Sequence, residues 1–274
     1  MRMSRRVGIH SSKMAVKPGI SYTGAYTMRN VTWNSRQYEE YQMTGSGTLT
    51  VTGGPIAGCA VWLCGGGARG STQPDCHGGA GARAASNTNA MLNGTYAVTV
   101  GAGSTSTAAG GTSSLGTLLS ATGGQNSGAT QSGGTGGGRC GAGTVFAGDG
   151  QTNKRPFNDT VNFPSVYCAG GGAGGYSDRI NLPATYLRGG NGGTNGGSGA
   201  VGASVTSITT ATPGTGGATG GGNGGNPNTG AAGSAGTTPG SGGGGGSRNA
   251  VVGGSTTQSP GNGYRGVVIL RIPA

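Results

Sequence analysis

Glycine at every third position is the feature that most narrows what this chain can become. Between residues 188 and 246 it recurs at Gly190, Gly193, Gly196, Gly199 and Gly202. The spacing returns at Gly214, Gly217 and Gly220, at Gly230, Gly233 and Gly236, and at Gly240, Gly243 and Gly246. An α-helix repeats every 3.6 residues and a strand every 2, so neither fits. The left-handed threefold helix of the polyproline II type does fit, rising about 3.1 Å per residue. A bare edge of glycines lets neighbouring helices of that kind approach closely. The spacing therefore predicts a stack of polyglycine II helices.

Composition sharpens this expectation. Glycine supplies 68 of 274 residues, while apolar residues make up 32% and charged residues 8%. Globular chains carry about 45–50% and 25% of the last two, so a large oily core is excluded. Ordering glycine is entropically expensive, and buried peptide groups must find partners. Dense hydrogen bonding between neighbouring main chains, worth about 0.5–1.5 kcal/mol net per bond, is the expected substitute.

Seventeen basic and six acidic residues give a net charge of +11. The basic residues are dispersed, and no Lys/Arg run exceeds Arg5-Arg6 or Lys154-Arg155. Arg188-Gly-Gly lacks the repeated aromatic interleaving of a single-strand binder, so nucleic acid is not the expected partner. A negatively charged bacterial surface suits the charge equally well. Five cysteines, an odd number, suggest no disulfide framework. Met1-Arg-Met-Ser-Arg-Arg has no apolar run after it, so no secretory signal is expected, and no apolar stretch reaches membrane-spanning length.

Residues 1–45 differ from the rest, holding five of the six methionines and few glycines. Trp33, Tyr38, Tyr41 and Met43 are candidate anchors for docking on a partner, since aromatics and Met are enriched at interfaces. The alternative is that they pack under the following domain. From residue 46 onward the pattern is β. Gly47-Thr-Leu-Thr-Val-Thr52 alternates, Gly53-Gly-Pro55 predicts a turn, and Cys59-Ala-Val-Trp-Leu-Cys64 is continuously apolar, as a strand covered on both faces would be. Cys59 and Cys64 then face opposite sides. Thr95-Tyr-Ala-Val-Thr-Val100, the leucines at 115, 118 and 119, and Tyr264-Arg-Gly-Val-Val-Ile-Leu-Arg-Ile272 complete the strand signals. The expected fold is mostly β and irregular, a small β framework carrying a polyglycine sandwich, with no substantial α-helix. Glycine-poor stretches at 151–168, 176–188 and 204–213 are expected to be loops at the ends of the stack, where binding tends to sit.

The linked series Gly47-Thr-Leu-Thr-Val, Val61-Trp-Leu-Cys-Gly-Gly-Gly67, Tyr96-Ala-Val-Thr-Val-Gly-Ala-Gly103, Gly110-Gly-Thr-Ser-Ser-Leu-Gly116, Ala121-Thr-Gly-Gly124 and Gly266-Val-Val-Ile-Leu-Arg271 resembles the glycine-rich domain of tailed-bacteriophage structural proteins. It is similar in kind to the polyglycine-sandwich adhesins at the tips of long tail fibres. The resemblance covers residues 46–274. It implies a virion protein whose N-terminal segment, residues 1–45, attaches to other virion proteins, and whose loops bind a bacterial cell-surface receptor. Lys154, Arg155, Phe157, Phe163, Tyr167, Tyr176 and Tyr186 are the candidate receptor contacts, with capping of the open stack as their alternative role. A purely architectural virion part and a cellular glycine-rich nucleic-acid binder are the rival readings.

Catalytic chemistry finds no support. Gly65-Gly-Gly-Ala-Arg-Gly70 matches a dinucleotide fingerprint literally, but Ser71-Thr-Gln-Pro-Asp-Cys-His breaks the helix it needs, and residues 80–95 hold no acid. Cys59, Cys64, Cys76 and His77 match no common zinc spacing and are expected to be buried and free. The six acids are scattered apart from Glu39-Glu40. No enzyme activity, cofactor or metal is expected.

Overall fold

The computed structural model describes residues 18–71, 76–125, 155–171, 176–178, 185–187, 204–205, 213–217, 220–251 and 254–274. It is mostly β, with a single 3-10 turn at Pro156–Asn158 as the helical element among the described residues. The strands are β1 (Gly19–Tyr22), β2 (Tyr26–Trp33), β3 (Arg36–Met43), β4 (Gly47–Cys64), β5 (Ala84–Thr99), β6 (Ser113–Leu115) and β7 (Leu119–Ala121). They are followed by β8 (Tyr176–Asp178), β9 (Thr185–Leu187), β10 (Ser204–Val205), β11 (Arg248–Val251), β12 (Gly254–Thr257) and β13 (Val267–Pro273).

The larger sheet runs β2-β3-β13-β4-β5-β6-β7, with β1 also on β4, and every pair in it is antiparallel. A smaller sheet runs β10-β9-β8-β11-β12, in which only β8 and β11 are parallel. The centre of the large sheet is β13, whose Val268 lies opposite Met43 on β3 and Leu63 on β4. Both faces of this centre are covered. Leu49, Val61, Leu63, Leu92, Val98, Val268 and Leu270 pack on one side. Ala60, Trp62, Cys64, Val267 and Ile269 pack with Phe157, Phe163 and Cys168 on the other. Cys59 and Cys64 fall on opposite faces, as their parity requires.

Two sequence expectations need correction, and one stretch left without an assigned element proves to be β. Gly53-Gly-Pro55 does not reverse the chain. β4 runs straight through it, with register shifts against β5 between Val51 and Ile56, between Ile56 and Cys59, and between Cys59 and Val61. Gly53 and Gly54 take positive φ (82° and 119°), which lets the strand bulge and bend instead of turning. Residues 19–43 are strands, although no strand period marks them. β2 is exposed at most positions, so no apolar alternation is imposed on it. The hairpin β2–β3 closes on Asn34 and Ser35, both at positive φ as a type I′ turn needs. Residues 155–168 are not a loop projecting from the end of the stack, because they lie on the face of the large sheet.

Beside the strands lie glycine-rich segments with no strand assignment, held by main-chain bonds that repeat every three residues. Gly67 N–H donates to the Tyr264 carbonyl (2.8 Å) and Gly70 N–H to that of Gly261 (3.0 Å). Ala68 donates to Ala80 and Ser71 to His77, both at 2.9 Å. Gly243 donates to Ala68 (2.9 Å) and Gly246 to Ser71 (2.8 Å). Gly222 and Gly225 donate to Gly242 and Gly245 (2.9 and 2.8 Å). Residues 240–246 thus bond to segments around Ala68, Gly79, Ala169, Asn223, Ser234 and Gly261, and 241–247 are all buried.

Close approach makes glycine obligatory there. A Cβ on Gly67 would run into the Ser241 carbonyl, and one on Gly243 into that of Gly261. Gly220, Gly230 and Gly240 begin or end the threefold series in turn conformations, with φ of 115°, 68° and 72°. The series Gly190 to Gly202 lies outside the described residues.

Candidate binding surface

The face of the large sheet nearest β2 carries two of the chain's six acids, Glu40 and Asp159. Antiparallel register sets Arg29 of β2 and Arg271 of β13 on either side of Glu40 of β3. Glu40 Oε1 accepts from Arg29 Nε (2.8 Å) and Gln42 Nε2 (2.9 Å), and Oε2 accepts from Arg271 Nε (2.8 Å). Arg271 Nη2 also donates to Asp159 Oδ2 at 2.7 Å. Two cations and two carboxylates therefore balance, with Arg271 and Glu40 fully buried. The planar face of the Arg271 guanidinium is enclosed by aromatics. Its carbon lies 4.4 Å from the Phe157 ring centre, 5.2 Å from Trp33 and 5.6 Å from Phe163, the geometry of desolvated cation–π contacts.

This cluster fixes the segment that follows the Pro156–Asn158 turn. Asp159 Oδ1 accepts from the N–H groups of Val161 (3.1 Å) and Asn162 (2.9 Å), an Asx-type turn. Asn162 Nδ2 donates to Asp159 Oδ2 (2.7 Å) and to the Thr32 carbonyl (3.1 Å), tying the segment to β2. Burial alone would raise the Asp159 pKa. The hydrogen bonds from Asn162 and Arg271 outweigh it and hold the carboxyl below its usual value.

Where this segment meets β2, β3 and the glycine layer, a groove of about 390 Å³ opens. Arg29, Gln42, Asn162, Ser165, Tyr167 and Pro239 line it. Tyr167 is held edge-on against Trp62 and Phe163, with ring centres at 5.7 and 6.1 Å. Burial pushes its pKa up to about 12, so its hydroxyl stays protonated at ordinary pH. Val161, at 86% exposure, forms the outer tip of the same segment. Rigid aromatic and proline surfaces beside hydrogen-bonding groups suit recognition of a surface ligand.

The structure separates the residues expected at the site. Tyr167 lies in the groove. Phe163 forms part of the groove floor but is 3% exposed, and Phe157, at 7%, lies outside the groove; both are core, because the buried Arg271 guanidinium and the Trp62 side of the sheet need an apolar cover. Arg155 is half-buried and donates to the Phe163 carbonyl, fastening the ends of the segment. Lys154 and the side chains of Tyr176 and Tyr186 lie outside the described residues, although β8 and β9 pair through the backbones of Tyr176 and Tyr186.

Of the expected docking anchors, Met43 and Tyr38 are buried in this chain's own core. Trp33 is half-buried against Phe157 (5.5 Å) and Tyr38 (5.8 Å). Tyr41 is half-buried on the opposite face, where its hydroxyl donates to Glu39. Arg29, Gln42 and Asn162 are groove residues that the sequence did not single out. The Asp159-Thr-Val-Asn162 turn was the available signal. Among the described residues no three of His, Cys, Asp and Glu gather as a metal site, and Cys59, Cys64, Cys76 and Cys168 are all buried thiols.

A family model described as a glycine-rich domain matches residues 30–273. No curated protein and no solved structure matches the chain.

Proposed function

We propose, from the premise that this chain belongs to the glycine-rich domain family, that it is a bacteriophage virion protein, a receptor-binding adhesin of a tail fibre or tail tip. The observation that carries this reading is the three-residue step of the lateral main-chain bonds. That step supports a stack of polyglycine II helices, with a backbone that turns a new side to a new neighbour at each residue. Such a slab is stiff without a large apolar core, which suits a part that must survive outside a cell and hold a recognition surface still. The segment 155–168 supplies that surface, with Tyr167 and Ser165 in the groove, Val161 at the tip and Arg29 and Gln42 beside them. The bacterial cell-surface receptor is the partner on that side. Other virion proteins are the partners of residues 1–45 on the opposite face of the sheet, where Tyr41 remains partly accessible. In this reading the chain binds and does no chemistry, and needs no cofactor.

The test pairs location with competition. Antibody against this chain should decorate the fibre or tail tip of particles carrying its gene. Free protein should reduce adsorption of those particles to their host, and Tyr167→Ala with Val161→Asp should weaken that competition at least tenfold. Labelling confined to the head, or competition indifferent to both changes, overturns the adhesin reading. The architectural alternative draws support from the open edge of β2, and head labelling is its expected outcome.

A further inference from the structure

We infer that the chain pairs with a second copy of itself through the free edge of β2, extending the large sheet antiparallel across a twofold axis. β2 ends the sheet, and among the described residues no strand lies beyond it. In a two-residue hairpin the residues flanking the turn, Trp33 and Arg36, bond to each other, and alternate residues follow. The odd residues of β2 therefore bond to β3, and Tyr26, Met28, Asn30 and Thr32 present their N–H and C=O groups outward. Two bonds agree with this parity. The Thr44 N–H donates to the Ala25 carbonyl, and Asn162 Nδ2 reaches the outward carbonyl of Thr32.

Natural edges of this length are blunted by proline, lysine or a bulge. This one has none: its only charge is Arg29, which is drawn onto the face by Glu40. It carries exposed apolar groups instead, with Tyr26 at 45% and Met28 at 55% exposure. They adjoin a ring cluster in which Tyr26 lies 5.8 Å from both Tyr22 and Tyr41.

Charge and occupancy narrow the register of this pairing with a second copy. A ladder centred between Met28 and Asn30 would set Arg29 opposite Arg29 of the second copy, and like charges directly opposite are destabilising. A ladder centred on Asn30 would need the Thr32 carbonyl, which Asn162 already occupies. Centring on Met28 avoids both conflicts and, of the registers that do, pairs the longest run of β2, Tyr26 to Asn30. Met28 then meets Met28 of the second copy, Tyr26 meets Asn30, and Thr27 meets Arg29. This edge is self-complementary, and the two Tyr26–Met28 patches merge on one face.

The full chain should sediment as a dimer at micromolar concentration. Met28→Pro removes an outward N–H while leaving the ladder to β3, so it should give a monomer with an unchanged circular dichroism spectrum. Residues opposite each other in a bonded antiparallel pair have Cα atoms about 5.5 Å apart, within disulfide span. In a Cys140→Ser background, Met28→Cys should therefore oxidise to a covalent dimer, whereas Met91→Cys, exposed on β5, should not. The second variant decides the matter if the proline change unfolds the chain. A monomer at all concentrations, or cross-linking at residue 91 as readily as at residue 28, overturns the inference.

Discussion

Arg271 shows how a chain poor in charge uses the little it has. Its guanidinium joins three separate stretches of sequence by bonding Glu40 of β3 and Asp159 of the covering segment while Trp33, Phe157 and Phe163 enclose its face. Removing one member of a buried, hydrogen-bonded charge set leaves the others uncompensated, at a cost of about 3–5 kcal/mol. Arg271→Met and Glu40→Ala should each lower the unfolding free energy measured by urea titration by that order, whereas Arg29→Ala, at the exposed end, should change it by less than about 1 kcal/mol. The Asp159 carboxyl is depressed in the fold, so its contribution is complete above the ordinary Asp value of about 3.9. It drains away as pH falls through the lower folded value. Asp159→Asn should therefore flatten the acid limb of a stability-versus-pH curve. An acid limb identical to that of the parent chain would refute this.

Among the elements, the buried central strands were the easiest to read. Cys59-Ala-Val-Trp-Leu-Cys64 announces a strand covered on both faces and Tyr264-Arg-Gly-Val-Val-Ile-Leu-Arg-Ile272 announces a strand; both strands are found, and both are covered on both faces. β2 stayed hidden because an exposed edge strand carries no obligatory apolar alternation. The bulge at Gly53-Gly-Pro55 stayed hidden because the same residues serve a turn equally well. Burial of Phe157 and Phe163 was illegible for a different reason: it depends on Arg271, more than a hundred residues away, needing a cover. The lateral bonding of the glycine segments follows from glycine's ability to let carbonyls come close. Gly67→Ala and Gly243→Ala should each destabilise by more than the roughly 1–3 kcal/mol of ordinary overpacking, because the obstacle is backbone. Ala235→Ser, on an exposed position, should leave the thermal midpoint unchanged.

Taken whole, the molecule combines a modest two-faced core with a slab held by its main chain. Unfolding such a body exposes far more peptide than hydrocarbon, and peptide exposure lowers the heat-capacity change. Calorimetry should therefore give less than the usual 12–15 cal/mol/K or so per residue. A value within that range would show that apolar burial dominates after all. The amides of Gly242, Gly243, Gly244 and Gly246, buried and bonded to several neighbouring segments, should exchange as slowly as those of β13.

The place of β13 has a consequence for how the protein is made. It lies between β3 and β4, and within the large sheet it alone joins the β2–β3 hairpin to the rest. Those two neighbours leave the ribosome roughly two hundred residues before it does. Until then the early hairpin and the long strand wait with their inner edges unsatisfied, needing a chaperone or sheer dilution to keep them apart. Nonsense truncations that spare every glycine but lose residues 267–273 should therefore yield insoluble material, and premature termination removes itself from the assembly line.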